Sequence, residues 1–294
     1  MIRTFGNSDH TPRLLRERKQ GEVTVVLPAL NEAITVGGIV AALRELDGLV
    51  DQVLVIDGSS EDGTADRARE AGAEVYDESE LMPEFGPARG KGDALWRSLS
   101  VARGDYVVFL DSDTLDFSPH FALGLIAPLI AGDGVSFVKG AFSRPFVTPD
   151  GERPNEGGRV TELCARPLLA AFYPPLAGFG QPLAGEVAAR RDLLQEVPFA
   201  TDFGVEIGML IDVYERFGLD VMAQVDLGER RNQHQSLFDL GRMAYTVQAA
   251  VLRRLRDSGR LAEEELPPLL GPDGRVLEVA QLERPPFASV RSAA

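Results

Sequence analysis

Asp111, Ser112 and Asp113 set two carboxylates one residue apart, directly after the apolar run Tyr106-Val-Val-Phe-Leu110. Side chains at i and i+2 of an extended chain point the same way, so both carboxylates can face one ligand. Two such charges repel, and a divalent cation removes the repulsion. Hard oxygen ligands suit Mg²⁺ or Mn²⁺, which keep positions open for phosphate oxygens. The same residues also fit a polar turn capping the next helix, and D-x-D alone does not separate the two readings. Other groups of the same kind stand upstream. Pro28-Ala-Leu-Asn-Glu32 could hold a nucleotide through its backbone and Glu32, and Asn31 could also be a helix N-cap. Asp57 could accept from a base or ribose, or be a solvated turn carboxylate. Gly90-Lys91-Gly92 lets backbone approach a phosphate and adds a point charge, without forming a P-loop.

These residues need elements to bring them together. Val23–Ala29 and Gln52–Asp57 read as buried strands, and residues 73–77 and 106–110 as two more. Helices are expected from Asn31 to about Leu46, from the turn at Gly63 to about Gly72, and from Gly90 to Ala102. Strand and helix alternate, and the strands are continuous apolar runs, which means a parallel sheet covered on both faces. The polar residues all stand at strand C-terminal ends, the edge at which open α/β sheets bind ligands. Further on, a helix is expected over 119–131, a strand over 135–141, helices over 158–172 and Val205–Phe217, a strand over 220–225 and a long helix over 236–256. The tail from Ser258, with several prolines, reads as an extended arm or a partner contact.

Composition narrows the function. The chain has 294 residues, 44% of them hydrophobic, and a net charge of −15. That balance argues against nucleic acid or an anionic membrane as partner. A phosphorylated ligand then requires positive charge from a metal, helix N-termini or a few placed bases. Lysine occurs only as Lys19, Lys91 and Lys139; codon bias accounts for the rarity but not for the positions. Residues 1–20 have no apolar core for a signal peptide, and the run 121–131 is too short to span a bilayer. The single cysteine, Cys164, excludes an intrachain disulfide and suits a reducing compartment. A cytoplasmic enzyme is expected.

Taken together, Leu27-Pro-Ala-Leu-Asn-Glu32, Asp57-Gly-Ser-Ser-Glu-Asp-Gly-Thr64, Gly90-Lys-Gly92 and the D-x-D element resemble the GT-A glycosyltransferases of the family-2-like group. Gly157-Gly-Arg-Val-Thr-Glu-Leu163, Gln181-Pro-Leu-Ala-Gly-Glu186 and Phe203-Gly-Val-Glu-Ile-Gly208 are similar to glucosyl-3-phosphoglycerate synthases and the related mannosyl-3-phosphoglycerate synthases. The resemblance runs from Val23 to Arg284-Pro-Pro-Phe287. It implies an α/β GT-A fold with a mostly parallel, Rossmann-like sheet and helices on both faces. It implies a retaining transfer of glucose or mannose from UDP-glucose, GDP-glucose or GDP-mannose to the 2-hydroxyl of 3-phosphoglycerate, with Mg²⁺ or Mn²⁺. The nucleotide would be held by Pro28, Ala29, Leu30, Asn31, Glu32, Asp57, Lys91, Asp111 and Ser112, and the metal by Asp113. Gly158, Arg159 and Thr161 would hold the acceptor. Glu206 would act at the sugar site, as a hydroxyl ligand or acceptor orienter; it also fits a helix N-terminal carboxylate.

One departure stands out. The family's metal-binding histidine falls in an H-x-N context, and this chain reads Arg230-Arg-Asn-Gln-His234. An ungapped match places Asn232 at that position; His234, two residues on, is the better ligand and is taken as the metal residue. His10 and His120 are expected at the surface. The resemblance divides the chain into an arm (1–21), a nucleotide-sugar half (22–116), an acceptor half (117–257) and a tail (258–294) at a homodimer contact. Competing readings are a transferase acting on a polyprenyl phosphate, a sugar nucleotidyltransferase, and a non-catalytic nucleotide-binding module on the same fold. The first would favour a basic amphipathic surface or membrane anchor, and the second a different glycine-rich loop near the N-terminus.

Overall fold

The computed structural model describes residues 2–6, 11–131, 134–148, 151–153, 157–230, 236–261, 269–270, 276–277 and 282–291. An eight-stranded sheet runs through it. In chain order its strands are β1 (Arg3–Gly6), β2 (Val23–Ala29), β3 (Gln52–Asp57), β4 (Glu74–Asp77), β5 (Tyr106–Phe109), β6 (Phe137–Ser143), β7 (Val187–Arg190) and β8 (Met222–Glu229). Their spatial order is β1-β8-β6-β7-β5-β2-β3-β4. Every pairing is parallel except those of β7, which is antiparallel to both β5 and β6.

Alternation along the strands divides the core in two. Val26, Leu54, Ile56, Val107 and Phe109 point to one face and pack with Trp96, Leu169, Leu210 and Val247. Val25, Val53, Val55 and Val108 point to the other, with Leu15, Ile39, Leu43 and Leu125. The first face is covered by α4 (Lys91–Ser98), α6 (Arg166–Phe172), α7 (Val205–Phe217) and α8 (Leu237–Asp257), and the second by α1 (Pro12–Arg18), α2 (Val36–Arg44), α3 (Thr64–Glu70) and α5 (His120–Ile130). Buried on both sides, the strands must be apolar throughout, which is why they read as unbroken runs.

Several elements differ from expectation. The segment read as an arm supplies β1 and α1: Arg3–Gly6 adds to the sheet edge beside β8. The helix expected from Asn31, α2, opens only at Val36, because Asn31 takes a left-handed turn at φ 58°, a conformation that asparagine tolerates. Strand β5 stops at Phe109, so Asp111 and Asp113 lie in the turn beyond it. The tail also behaves differently where it is described. Glu283 and Arg284 pair antiparallel with Phe199 and Ala200, and Phe287 is buried against Trp96 at 5.5 Å between ring centroids. That part is a strap across its own chain.

Candidate active site

The C-terminal ends of β5, β2 and β3 open onto a cavity of about 670 Å³. Its wall contains Pro28, Ala29, Leu30, Glu32, Lys91, Asp111, Ser112 and Asp113, and also Gly158, Arg159, Thr161 and Glu206. Asn31 and Asp57 do not line it; they build the loops behind the wall. Asn31 Oδ1 accepts from the Glu61 N–H at 3.0 Å, and Asp57 Oδ2 accepts from the Ser60 N–H at 3.0 Å. The other oxygen of Asp57, Oδ1, is buried without a hydrogen-bond partner. Ser112 does not point at a ligand either: its hydroxyl donates to the Pro28 carbonyl at 2.6 Å, while Thr35 donates to the Ser112 carbonyl at 2.6 Å. Those two bonds tie the turn after β5 to the end of β2 and to the start of α2.

A charged cluster fills the cavity floor. Lys91 Nζ lies 2.5 Å from Asp111 Oδ1 and 2.7 Å from Glu206 Oε1, joining the first turn of α4 to the first turn of α7. Burial disfavours this ammonium, yet Asp111 and Glu206 hold its pKa above the ordinary lysine value. Burial likewise works against the Asp111 charge, and Lys91 and Arg230 overcome it, so its pKa falls well below the usual carboxylate range. Arg230, fully buried just past β8, donates to Asp111 Oδ2 at 3.0 Å and Asp113 Oδ1 at 2.9 Å, and pairs with buried Glu186. The aspartates are therefore gathered by a shared guanidinium beyond the strand, and strand alternation plays no part. Backbone shape is matched to this cluster. A Cβ on Gly185 would lie 2.2 Å from Asp111 Oδ1, and one on Gly92 only 1.7 Å from the Ala200 carbonyl oxygen.

At the other end of the cavity Gly158, at φ +70°, turns the chain into a helix whose residues Thr161–Ala165 form a π-helical turn. Such turns recur at functional sites. Thr161 is buried there, and Glu162 is turned outward to pair with Arg166 at 2.8 Å. His120, expected at the surface, is half-buried and bonded through Nε2 to the Leu227 carbonyl at 3.2 Å.

Known proteins match this chain over nearly its whole length. The sequence profile described as glycosyl transferase family 2 matches residues 24–180. Glucosyl-3-phosphoglycerate synthase of Mycolicibacterium paratuberculosis is 44% identical over 301 residues, spanning 98% of this chain and 91% of that protein. The chain belongs to the glucosyl-3-phosphoglycerate synthase family. The crystal structure of mannosyl-3-phosphoglycerate synthase from Rubrobacter xylanophilus is 48% identical, with a TM-score of 0.87 over 98% of this chain and 97% of that one. A structure of glucosyl-3-phosphoglycerate synthase from Mycobacterium tuberculosis, in complex with Mn²⁺, UDP-glucose and phosphoglyceric acid, is 40% identical, with a TM-score of 0.88 over 99% of each chain. The α/β fold is accordingly that of the GT-A glycosyltransferases, as the strand-end motifs implied.

A glucosyl-3-phosphoglycerate synthase fold implies a divalent cation, and the donor chemistry here suits one. The Asp113 side chain is 51% exposed and offers hard oxygen, as does Asp111 beside it. Among the described residues no three His, Cys, Asp or Glu side chains converge as a metal cage. A Mg²⁺ or Mn²⁺ ion shared with a nucleotide needs only one or two carboxylates, the rest coming from phosphate and water. His234 and Asn232, the candidates for a further ligand, lie outside the described residues, as does His10.

Several members of the cluster escaped the sequence. Arg230 is separated from its aspartates by 119 and 117 positions, and no local pattern announces such a pair. Glu186 lay inside a quoted motif without a role. Lys139 did leave a signal: it is a rare lysine in the middle of an apolar strand. It is fully buried, donates to the Ala184 carbonyl at 2.8 Å, and burial pushes its pKa down to about 8.

Proposed function

We propose that this chain is a retaining hexosyltransferase that moves glucose or mannose from a nucleotide sugar to the 2-hydroxyl of 3-phosphoglycerate. One observation carries the reading: a single cavity takes in a Lys91–Asp111–Asp113 end suited to a metal-bound diphosphate and a Gly158–Arg159–Thr161 end suited to a small phosphorylated acid. Relatives that carry the synthase name over almost the full length of the chain support it.

In this reading Pro28, Ala29, Leu30 and Glu32 cradle the nucleoside, and Asn31 and Asp57 act from behind the wall by holding the loops that shape this cradle. Asp111 and Ser112 close its phosphate side, and Lys91 and Arg230 offset charge as it grows on the leaving diphosphate. Asp113 holds Mg²⁺ or Mn²⁺ with His234; bound there, the cation would serve as Lewis acid toward the diphosphate. Glu206, buried at the start of α7, accepts hydrogen bonds from the sugar and fixes its orientation. Gly158 presents backbone N–H groups to the acceptor, and Arg159 and Thr161 add a guanidinium and a hydroxyl. The same reading divides the nucleotide half from the acceptor half near residue 117. It has a cytoplasmic homodimer with a contact in residues 258–294.

The decisive assay offers UDP-glucose, GDP-glucose and GDP-mannose separately to the purified chain with 3-phosphoglycerate, with and without Mg²⁺ or Mn²⁺. A glycosylated phosphoglycerate formed with at least one donor, and only with metal, is expected. No product in any combination sinks the reading. Asp113→Ala is expected to lower kcat by roughly 100-fold or more while circular dichroism stays unchanged.

A further inference from the structure

The acceptor end of the cavity contains a cation to which the preceding roles give nothing to do. Arg144 follows β6 and lines the cavity wall. Its chain lies against the acceptor loop: a Cβ on Gly157 would be 2.7 Å from the Arg144 carbonyl oxygen, and one on Gly158 would be 3.6 Å from Arg144 Cδ. Glycine at 157 therefore lets the acceptor loop close onto the Arg144 backbone, while Gly158 is in ordinary contact with its side chain. The guanidinium carbon rests over the Phe142 ring, 5.2 Å from its centroid. Its Nε is buried without a hydrogen-bond partner. Among the described residues no carboxylate comes within ion-pair distance of it, whereas Arg230 beside it holds three. Burial and the nearby Arg230 both disfavour the Arg144 charge. An unpaired guanidinium in such a wall is costly unless an anion completes it.

The proposed acceptor has two anionic groups, one on each side of the reacting hydroxyl. Backbone N–H groups, a hydroxyl and a guanidinium around Gly158, Arg159 and Thr161 match a tetrahedral phosphate. A planar guanidinium fork resting over a phenyl ring matches a planar carboxylate, which it can engage through two parallel bonds. Position agrees with this division. The carboxylate is attached to the carbon bearing the 2-hydroxyl, so it must lie towards the transfer point. Arg144 lies on that side, close enough to Asp111, Asp113, Glu186 and Arg230 to feel their charges.

We propose that Arg144 is the residue that recognises the acceptor's carboxylate, and so selects a 2-hydroxy acid over the corresponding alcohol. The proposal rests on the transfer reaction argued above. Glycerol 3-phosphate keeps the phosphate and the 2-hydroxyl but carries CH₂OH in place of the carboxylate, and it is the probe. The wild-type chain and Arg144→Gln are compared for 3-phosphoglycerate kcat/KM and for the inhibition constant of glycerol 3-phosphate against 3-phosphoglycerate, with donor KM as a control. Arg144→Gln should lower kcat/KM for 3-phosphoglycerate roughly 10- to 100-fold, mainly through KM, as expected for a lost charged hydrogen bond. The glycerol 3-phosphate constant should stay within about threefold, donor KM should not move, and Arg144→Lys should recover only part of the loss. Equal weakening of both acceptor compounds, or no change in either, overturns the role. Failure of the wild-type chain to glycosylate 3-phosphoglycerate would instead overturn the reaction on which the role depends.

Discussion

Glu78 is a residue for which burial outweighs every local advantage. It follows β4, is 5% exposed, and has an oxygen, Oε1, without a partner. Burial, then the neighbouring Asp93, push its carboxyl up to about 7, against the pull of Arg97 and the Arg89 backbone N–H. Between its ordinary pKa and about 7 the folded protein holds a proton that the unfolded chain has lost. Stability from this group is therefore full in acid and lost as pH rises through 7. A shift of this size corresponds to about 3 kcal/mol, an upper bound once water penetration is allowed for. Glu78→Gln cannot ionise and should flatten the curve: near wild-type stability at pH 5, and greater stability at pH 8. Urea titrations at both pH values test this, and parallel pH curves for the two proteins would remove Glu78 as the cause. Nothing in Glu78-Ser-Glu80 distinguishes this glutamate from its neighbours, since the burial comes from α4 packing over it. By contrast Asp111 and Lys91 were legible because one follows a recognisable strand end and the other opens a helix, and Arg159 was reached only through the family resemblance, whereas Arg144 and Arg230 follow strands without any motif.

Helix α4 shows how an element is held to its task from far along the chain. Its N-terminus presents Lys91, and two residues on Asp93 is fully buried. Arg284 of the C-terminal strap donates to both Asp93 oxygens, at 2.6 and 2.7 Å, and Arg97 approaches the same carboxylate at 3.2 Å. Trp96 on the next turn donates to the Pro285 carbonyl at 2.9 Å and lies 5.5 Å from the Arg284 guanidinium carbon. The strap also reaches the opposite helix pair. Glu283 pairs with Arg254 of α8 at 2.8 Å, and Arg254 in turn holds Asp212 of α7. The helices presenting Lys91 and Glu206 are thus tied to one short strand. Arg284→Met would keep the stem over Trp96 and remove the cation that donates to both oxygens of buried Asp93. It should cost about 2–4 kcal/mol in chemical denaturation, with part recovered by adding Asp93→Asn. Independent, additive losses in that double-mutant cycle would mean that the pair is not coupled. The periodicities that exposed α4 and β2 through β5 are local. The strap, β1 and β7 gave no such signal: Glu283–Arg284 and Arg3–Gly6 contain no apolar run, β7 holds only Val-Ala-Ala before Arg190, and all three are placed by the partners they meet in the folded chain.

For the molecule as a whole the difficulty is charge. A chain of net charge −15 is proposed to bind a nucleotide diphosphate beside a phosphorylated acid, all anions. The cluster at the cavity floor does not supply the missing positive charge. Lys91 and Arg230 are already engaged by four carboxylates, Asp111, Asp113, Glu186 and Glu206, so no net positive charge is left there for a diphosphate arriving alone. A divalent cation arriving alone meets the opposite problem, since Arg230 competes for the carboxylates it would use. Each ligand supplies the charge that the other lacks, so their binding should be strongly coupled. UDP or GDP alone, and Mn²⁺ alone, should each shift the melting temperature by about a degree or less. Together at roughly 100 times their dissociation constants they should add about 3 kcal/mol, or about 5 °C for a domain of this size. Scanning fluorimetry with each ligand separately and then combined measures this directly. A combined shift no larger than the sum of the separate shifts would show that the nucleotide and the cation bind independently, and that the charged cluster around Arg230 does not couple them.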